Sequence, residues 1–193
     1  VDAAVEAKAD VVKFQTFKAS QVVSCFAEKA NYQKKTTSAS ESQLEMIKGL
    51  ELDRDAHEKL ISYCQHEGIE FLSTPFDPDS IDLLVELGLQ TLKIPSGEIN
   101  NLTYLRRIGC LKKKLIMSTG MATLDEVREA LEVLTNEGTA KGQITVLHCN
   151  TEYPTPFEDV NLRAMRTLKD ELGVKVGYSD HTLGIKAAEL AVA

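Results

Sequence analysis

Short β-branched runs alternate with helical patterns along this chain. The runs "DVVKFQTF", "EFLSTPF", "TLKIPS", "KLIMST", "ITVLHCN" and "VKVGYSD" predict strands centred near Phe14, Leu72, Ile94, Ile116, Leu147 and Val176. The stretches between them carry helix end signals. Leu60, Ile61 and Cys64 share one helix face, and Gly68 follows as a stop. "DPDS" predicts Asp77 as an N-cap with Pro78 at the first helical position, and Gly88 closes that helix. "TLDE" reads as a capping box in which Thr123 and Glu126 satisfy each other's backbone donors. Two further helices are expected, one from Asn161 to near Leu172 and one from Gly184 to the end.

Strand–helix repetition implies parallel strands joined by right-handed crossovers. Most strand centres are spaced at or below the roughly 31 residues per unit of an eightfold barrel of about 250 residues. The first two centres lie 58 residues apart. Residues 18–50 are therefore expected to be an insertion, with the polar "NYQKKTTSASES" forming a surface loop or lid. Six strands fall where a barrel has eight. The expected fold class is α/β, a (β/α)8 TIM barrel lacking its first and last strands, with 1–193 forming one partial catalytic domain. A doubly wound open sheet competes with it, although no GxGxxG or P-loop supports that fold. The chain starts at Val1 and closes inside the apolar "IKAAELAVA", which reads as a piece of a longer protein.

A parallel sheet covered on both faces should have almost continuously apolar strands. Each strand here turns polar toward its carboxyl end. The residues are Lys13 and Gln15, Ser73 and Thr74, Lys93 and Ser96, Ser118 and Thr119, His148 and Asn150, then Ser179, Asp180 and His181. In a barrel that end is the active-site face. Alternation along the first strand puts Lys13 and Gln15 on one side and Val12 and Phe14 on the other, with Phe14 toward the helices. Taken singly, these residues have plain structural readings. Lys13 suits a solvated edge, His148 a hydrogen-bonded core histidine, Cys149 a small apolar filler, and His57 and His66 a solvent-facing helix surface.

Two lysines brought together from different strands need a counter-charge, either an anionic ligand or a carboxylate such as Glu98. With several hydroxyls beside them, they suit a small, multiply charged anion such as a phosphate ester bearing a carboxylate. "YSDHT" adds one histidine and one carboxylate at a strand tip, too few ligands by themselves for a metal but compatible with a hard divalent ion.

Composition narrows the field further. Among 193 residues, 43% are hydrophobic and 26% charged, which suits a folded domain and excludes low-complexity sequence. Asp+Glu 29 against Lys+Arg 22 gives a net charge of −7, which argues against a nucleic-acid partner. No apolar run approaches the roughly 20 residues that span a bilayer, so no membrane partner is expected. The four cysteines are dispersed without a CxxC pair, as expected for reduced thiols in a cytoplasm.

The segments "KFQTF", "FLSTPFD", "KIPSGEINN", "MSTGMAT", "HCNTEYPTPFEDVNL" and "GYSDHTLG" resemble, in the same order, those of the N-acetylneuraminate (sialic acid) synthase family. The resemblance runs from about Ala9 to Ala187. It implies an enzyme, a transferase of cytoplasmic sialic acid biosynthesis, that condenses phosphoenolpyruvate with an N-acetylated mannosamine-type sugar. It also implies an eightfold barrel followed by an antifreeze-like domain, expected beyond 193 and absent here, and a homodimer in which that domain covers the partner's active site. By position, Lys13, Lys93, Ser96, Ser118 and Ser179 resemble the phosphoenolpyruvate-binding set, with Thr74 and Asn150 beside them. In some members the asparagine stands one position later, where this chain has Thr151. Gln15 and Tyr153 resemble contacts to the amino sugar, and Asp180, in the strand-tip motif with Ser179 and His181, is expected to bind substrate. Glu98 resembles an acid near the reacting carbons, and His181 one of two histidine ligands of a divalent metal, Mn2+ or Mg2+. Lys93, Glu98 and His181 are thus the expected catalytic residues. The family's early glutamate would precede Val1 and its second metal histidine would follow Ala193, so this stretch alone is expected to be inactive. A Schiff-base aldolase using Lys93, and a non-catalytic sugar- or phosphate-binding fragment, remain the alternatives.

Overall fold

The computed structural model describes residues 1–29 and 41–193, and these form two compact units, Val1–Leu89 and Gln90–Ala193. The first unit runs α1 (Asp2–Glu6), β1 (Val11–Thr16), α2 (Ala19–Val22), α3 (Gln43–Lys48), α4 (Arg54–Glu67), β2 (Glu70–Pro75) and α5 (Pro78–Glu86). Strands β1 and β2 pair in parallel, with Val11 opposite Glu70 and Thr16 opposite Pro75. The predicted stops are where the sequence puts them. Gly68 adopts φ 72° after α4, a left-handed conformation that costs a residue without Cβ little. Asp77 caps α5 by accepting the Ser80 N–H at 2.8 Å, with Pro78 at the helix start. Of the expected insertion 18–50, α2 and α3 lie in the described part, and residues 30–40 of the expected lid lie outside the described residues.

In this unit Val12, Phe14, Thr16, Phe71 and Ser73 share one face of the pair by register. Phe14 stacks on Phe71 with ring centroids 5.2 Å apart, so it faces inward to the α4 side as the alternation predicts. His57 corrects the sequence reading. Expected in solvent, it is fully buried at 0% exposure and meets Phe71 edge-on. Its Nδ1 lies 2.7 Å from the Asp53 carbonyl, which can only accept, so that nitrogen carries the proton. In the neutral ring Nε2 then accepts from Thr16 Oγ1 at 2.8 Å, and Ser73 donates to Thr16 at 2.7 Å. Ser73 is thereby spent on packing α4 against the strands and is not on the face that carries Lys13. His66 is exposed, as expected.

The second unit runs β3 (Thr91–Ile94), a 3-10 turn (Ser96–Glu98), α6 (Leu102–Cys110), β4 (Lys114–Ser118), α7 (Leu124–Asn136), β5 (Ile144–Cys149), α8 (Arg163–Leu172), β6 (Lys175–Ser179) and α9 (Lys186–Val192). Its four strands lie in the order β3-β4-β5-β6, all parallel. One face is sealed and apolar: Leu92, Ile94, Leu115, Met117, Ile144 and Val146 are each at most 1% exposed. Burial of each such side chain contributes roughly 1.5–3 kcal/mol, the main stabilisation of this sheet. Helices α6 and α7 pack closely at Gly109, where a Cβ would lie 2.8 Å from that of Glu137. The capping box at α7 is present, with Thr123 Oγ1 accepting the Glu126 N–H and Glu126 accepting the Thr123 N–H. The fold is α/β with parallel sheets, and the six predicted strands occur at their predicted places.

Candidate active site

Strand register sorts the polar residues of each unit. In the first unit Lys13 pairs with Leu72 and Gln15 with Thr74, so these four share the face opposite to His57. Thr74 is buried, whereas Lys13 and Gln15 are exposed along their side chains. Burial around the Lys13 amine nonetheless holds its pKa below the ordinary lysine value of 10.5. A cleft of about 630 Å³ elsewhere in this unit holds none of the candidate residues. Its Glu51, Asp53, Asp79, Asp82 and Glu86 outnumber Lys18 and Arg54, so it would repel a phosphorylated ligand.

In the second unit the face opposite the apolar one carries Lys93, Ile116, Ser118, Leu147, Cys149, Gly177 and Ser179. Gly177 lies under Leu147, whose Cδ2 would be 2.7 Å from a Cβ at that position. Lys93 is 7% exposed, and its ammonium donates to Ser118 Oγ at 2.5 Å and to the Ile94 carbonyl at 3.0 Å. This joins two residues that the sequence singled out independently, on adjacent strands. Ser96 stands on the turn after β3, with its hydroxyl 3.5 Å from Cys149 Sγ. Glu98, on the same turn, accepts from Asn101 Nδ2 at 2.6 Å, and Asn101 in turn caps α6.

A second cluster gathers at the tips of β5 and β6. His181 Nδ1 donates to the Asn150 carbonyl at 2.6 Å, and its ring lies 4.2 Å from that of Tyr153. The Thr155 N–H donates to the His181 carbonyl at 2.9 Å. In the neutral ring with Nδ1 protonated, Nε2 carries the lone pair, and Ser179 Oγ lies 3.5 Å from it. Asp180 feels opposing influences. Burial pulls its pKa up, but hydrogen bonds from the Thr182 N–H at 2.9 Å, the Thr182 side chain, the Tyr178 hydroxyl at 3.3 Å and the Ala188 backbone together outweigh that, and the net shift is downward. Tyr178 is raised, by burial first and by the Asp180 charge second.

Asn150 is used differently from the other candidates. Its Nδ2 donates to the Asp159 carbonyl at 2.8 Å, and Oδ1 is buried with no hydrogen-bond partner among the described residues, so the side chain braces the loop before α8. His148 donates from Nε2 to the Val160 carbonyl at 2.7 Å on the apolar side of the sheet, the structural role its sequence context suggests. Cys149 is more than filler, because its sulfur also accepts the Gly120 N–H at 3.3 Å. The signal for that contact was in "MSTGMAT", a glycine directly after a strand, but its partner could not be read along the chain.

The metal-ligand chemistry of this stretch is limited. His181 has the tautomer of a metal-bound histidine, with its other nitrogen donating to a carbonyl. Among the described residues there is no group of three or more His, Cys, Asp or Glu side chains placed to hold an ion. The residues present thus fit one ligand of such a site and not a whole one.

Comparison with known proteins agrees with the motifs. The chain is 56% identical over its full length to an N,N'-diacetyllegionaminic acid synthase of Campylobacter jejuni, covering 58% of that protein. It is 50% identical to the Legionella pneumophila protein of the same name, covering 54% of it. The chain therefore spans little more than half the length of these curated relatives. Among solved structures, the N-acetylneuraminic acid (sialic acid) synthetase of Leptospira borgpetersenii, in complex with citrate, superposes with a TM-score of 0.84 at 31% identity. That match covers 99% of this chain and 61% of the other. The NeuB family model matches residues 1–193, and the chain belongs to the NeuB family.

Proposed function

We propose that the full-length protein condenses phosphoenolpyruvate with a six-carbon diacetamido sugar of the N-acetylmannosamine type, giving a diacetylated nonulosonic acid of the legionaminic class and phosphate. The two legionaminic acid synthases at 56% and 50% identity support that product over the other acids of the family. Removing the three carbons of pyruvate from a nine-carbon acid leaves a six-carbon aldehyde as the second substrate. The observation that carries the reading is the buried Lys93 ammonium held by Ser118 on a strand-end face with the hydroxyls of Ser96 and Ser179. A fixed cation beside serine hydroxyls is the donor set that a phosphate or carboxylate needs.

In this reading Lys93, Ser118, Ser96 and Ser179 grip the donor, and Lys13 and Thr74 keep the donor-binding role that the resemblance gives them. Gln15 and Tyr153 contact the sugar, and Glu98 lies near the reacting carbons. Holding the donor's methylene carbon against the sugar carbonyl is chiefly a positioning effect. The methylene carbon forms the new C–C bond with the aldehyde carbon, whose oxygen takes up a proton. Water then adds at the donor's second carbon, and the C–O bond to phosphate breaks as the ketone forms. His181 is proposed as one ligand of a Mn2+ or Mg2+ ion. Such an ion, when bound, polarises the sugar's aldehyde. We further propose that the described strands are the second to seventh of a (β/α)8 barrel, that 1–193 form part of one catalytic domain followed by an antifreeze-like domain, and that the protein works in the cytoplasm as a homodimer. No described helix is long and apolar enough to cross a membrane.

The test is direct. The full-length protein with phosphoenolpyruvate, a 2,4-diacetamido hexose and Mn2+ should release phosphate and yield a nine-carbon acid by mass spectrometry; no phosphate release would reject the proposal. An aldolase would instead use Lys93 as the nucleophile that forms an imine with pyruvate. In a synthase, borohydride with pyruvate should leave no adduct on Lys93.

A further inference from the structure

We infer that Cys149 is a positioning residue, whose thiol links the Gly120 N–H to the Ser96 hydroxyl and leaves the Ser96 proton free for an anionic substrate. The inference rests on the reading of Ser96 as a donor-binding residue and assigns what sets its orientation. Cys149 ends β5, is 3% exposed, and lies on the same sheet face as Ser118 and Ser179. Two polar groups meet its sulfur. The Gly120 N–H, which can only donate, is 3.3 Å away, and Ser96 Oγ is 3.5 Å away. Either atom of the Cys149–Ser96 contact can be the donor, and in the proposed arrangement the S–H is directed to the serine oxygen. One lone pair of the Ser96 oxygen is then occupied, and its own proton is available as a donor. Hydrogen bonds in series polarise one another, so a hydroxyl held this way is a better donor to phosphate or carboxylate than a free one.

The backbone enforces the same geometry. Gly120 has φ +47°, and a Cβ there would lie 2.4 Å from Ser96 Cβ and 2.6 Å from Ser96 Oγ. The turn after β4 therefore lies directly on the Ser96 side chain and restricts its rotation. Thr151 closes the other side, its Cγ2 3.0 Å from the same point. A filler would need only volume and apolar surface. This position also needs an atom that accepts from one neighbour and donates to the other, which sulfur and oxygen provide and carbon does not.

The experiment compares Cys149→Ala and Cys149→Ser in the full-length protein, by steady-state kinetics, by direct titration with phosphoenolpyruvate, and by thermal melts to verify folding. Loss of one hydrogen bond on the donor site should raise the KM and Kd for phosphoenolpyruvate about three- to tenfold in Cys149→Ala, with kcat changed far less. Cys149→Ser has the same donor and acceptor inventory and should recover most of that affinity, although serine is the poorer apolar filler. Alanine with unaltered KM and Kd, or serine as weak as alanine, overturns the inference while the synthase reading stands. A wild-type protein that neither binds nor consumes phosphoenolpyruvate overturns both.

Discussion

Replacing Lys93 by methionine keeps the length of its apolar stem and removes only the ammonium. The side chain is 7% exposed and donates to Ser118 and to the Ile94 carbonyl, so the substitution removes the desolvation cost of the amine but leaves two acceptors without that donor. Thermal melts of Lys93→Met verify that the variant folds. Losing a buried charge that holds an anion costs about 2–5 kcal/mol, so KM for phosphoenolpyruvate should rise about 30-fold or more. An unchanged KM would remove Lys93 from donor binding. Lys13 makes a prediction of opposite character. Burial lowers its pKa from 10.5, so between the lowered value and 10.5 the unfolded chain binds more protons, and stability rises with pH across that window. Below the window the burial penalty is present in full. Lys13→Met should be more stable than the wild type at pH 7 in urea melts, with the gap narrowing as the pH approaches 10.5. A gap that stays constant would mean that the amine is not desolvated.

At the scale of elements, helix starts are fixed by short-range chemistry. Thr123 and Glu126 exchange hydrogen bonds at the first turn of α7, so Thr123→Ala should lower stability by about 1 kcal/mol in urea unfolding. The same contacts, the Thr123 N–H first and its hydroxyl second, hold Glu126 below its ordinary pKa of 4.5. A depressed carboxylate stabilises the fold above its unfolded pKa and loses that contribution as the pH falls through its folded value. The difference between Thr123→Ala and wild type should therefore shrink below pH 4.5, and a difference that grows on acidification would contradict the assignment. The start of α4 shows where local reasoning stops. Asp53 caps that helix as a local rule allows, accepting the Ala56 N–H at 2.8 Å. His57, one turn on and set among charged neighbours, is buried because Thr16, 41 residues earlier, presents a hydroxyl to its ring.

For the molecule as a whole, the prediction concerns which bond the reaction breaks. If water adds to the carbon skeleton and phosphate leaves with its bridging oxygen, then reaction in 18O-enriched water should put the heavy oxygen in the nine-carbon acid. Label in the released phosphate would instead indicate attack at phosphorus. Both observations need the full-length protein, since this chain spans 58% of the Campylobacter jejuni relative and 54% of the Legionella pneumophila one. Lys13 and Thr74 lie in the first unit; in the second, Lys93, Ser118 and Ser179 lie on one face of a sheet whose other face is sealed by aliphatic side chains, with Ser96 on the turn after β3.

What the sequence alone determined is whatever depends on neighbours a few residues apart. Strand alternation put Lys13 and Gln15 on one face and Phe14 on the other, and hydrogen bonds spanning three residues set the starts of α5 and α7. The family motifs were legible for the same reason, because each is a contiguous string at one strand end. Tertiary structure decided the contacts between strands and between loops. It joined Lys93 to Ser118 and His181 to the Asn150 carbonyl, turned the Asn150 side chain into its own loop, and set Cys149 between Gly120 and Ser96. Each of these pairs residues 9 to 53 positions apart, and their meeting depends on how the sheet aligns its strand ends, which no local pattern encodes.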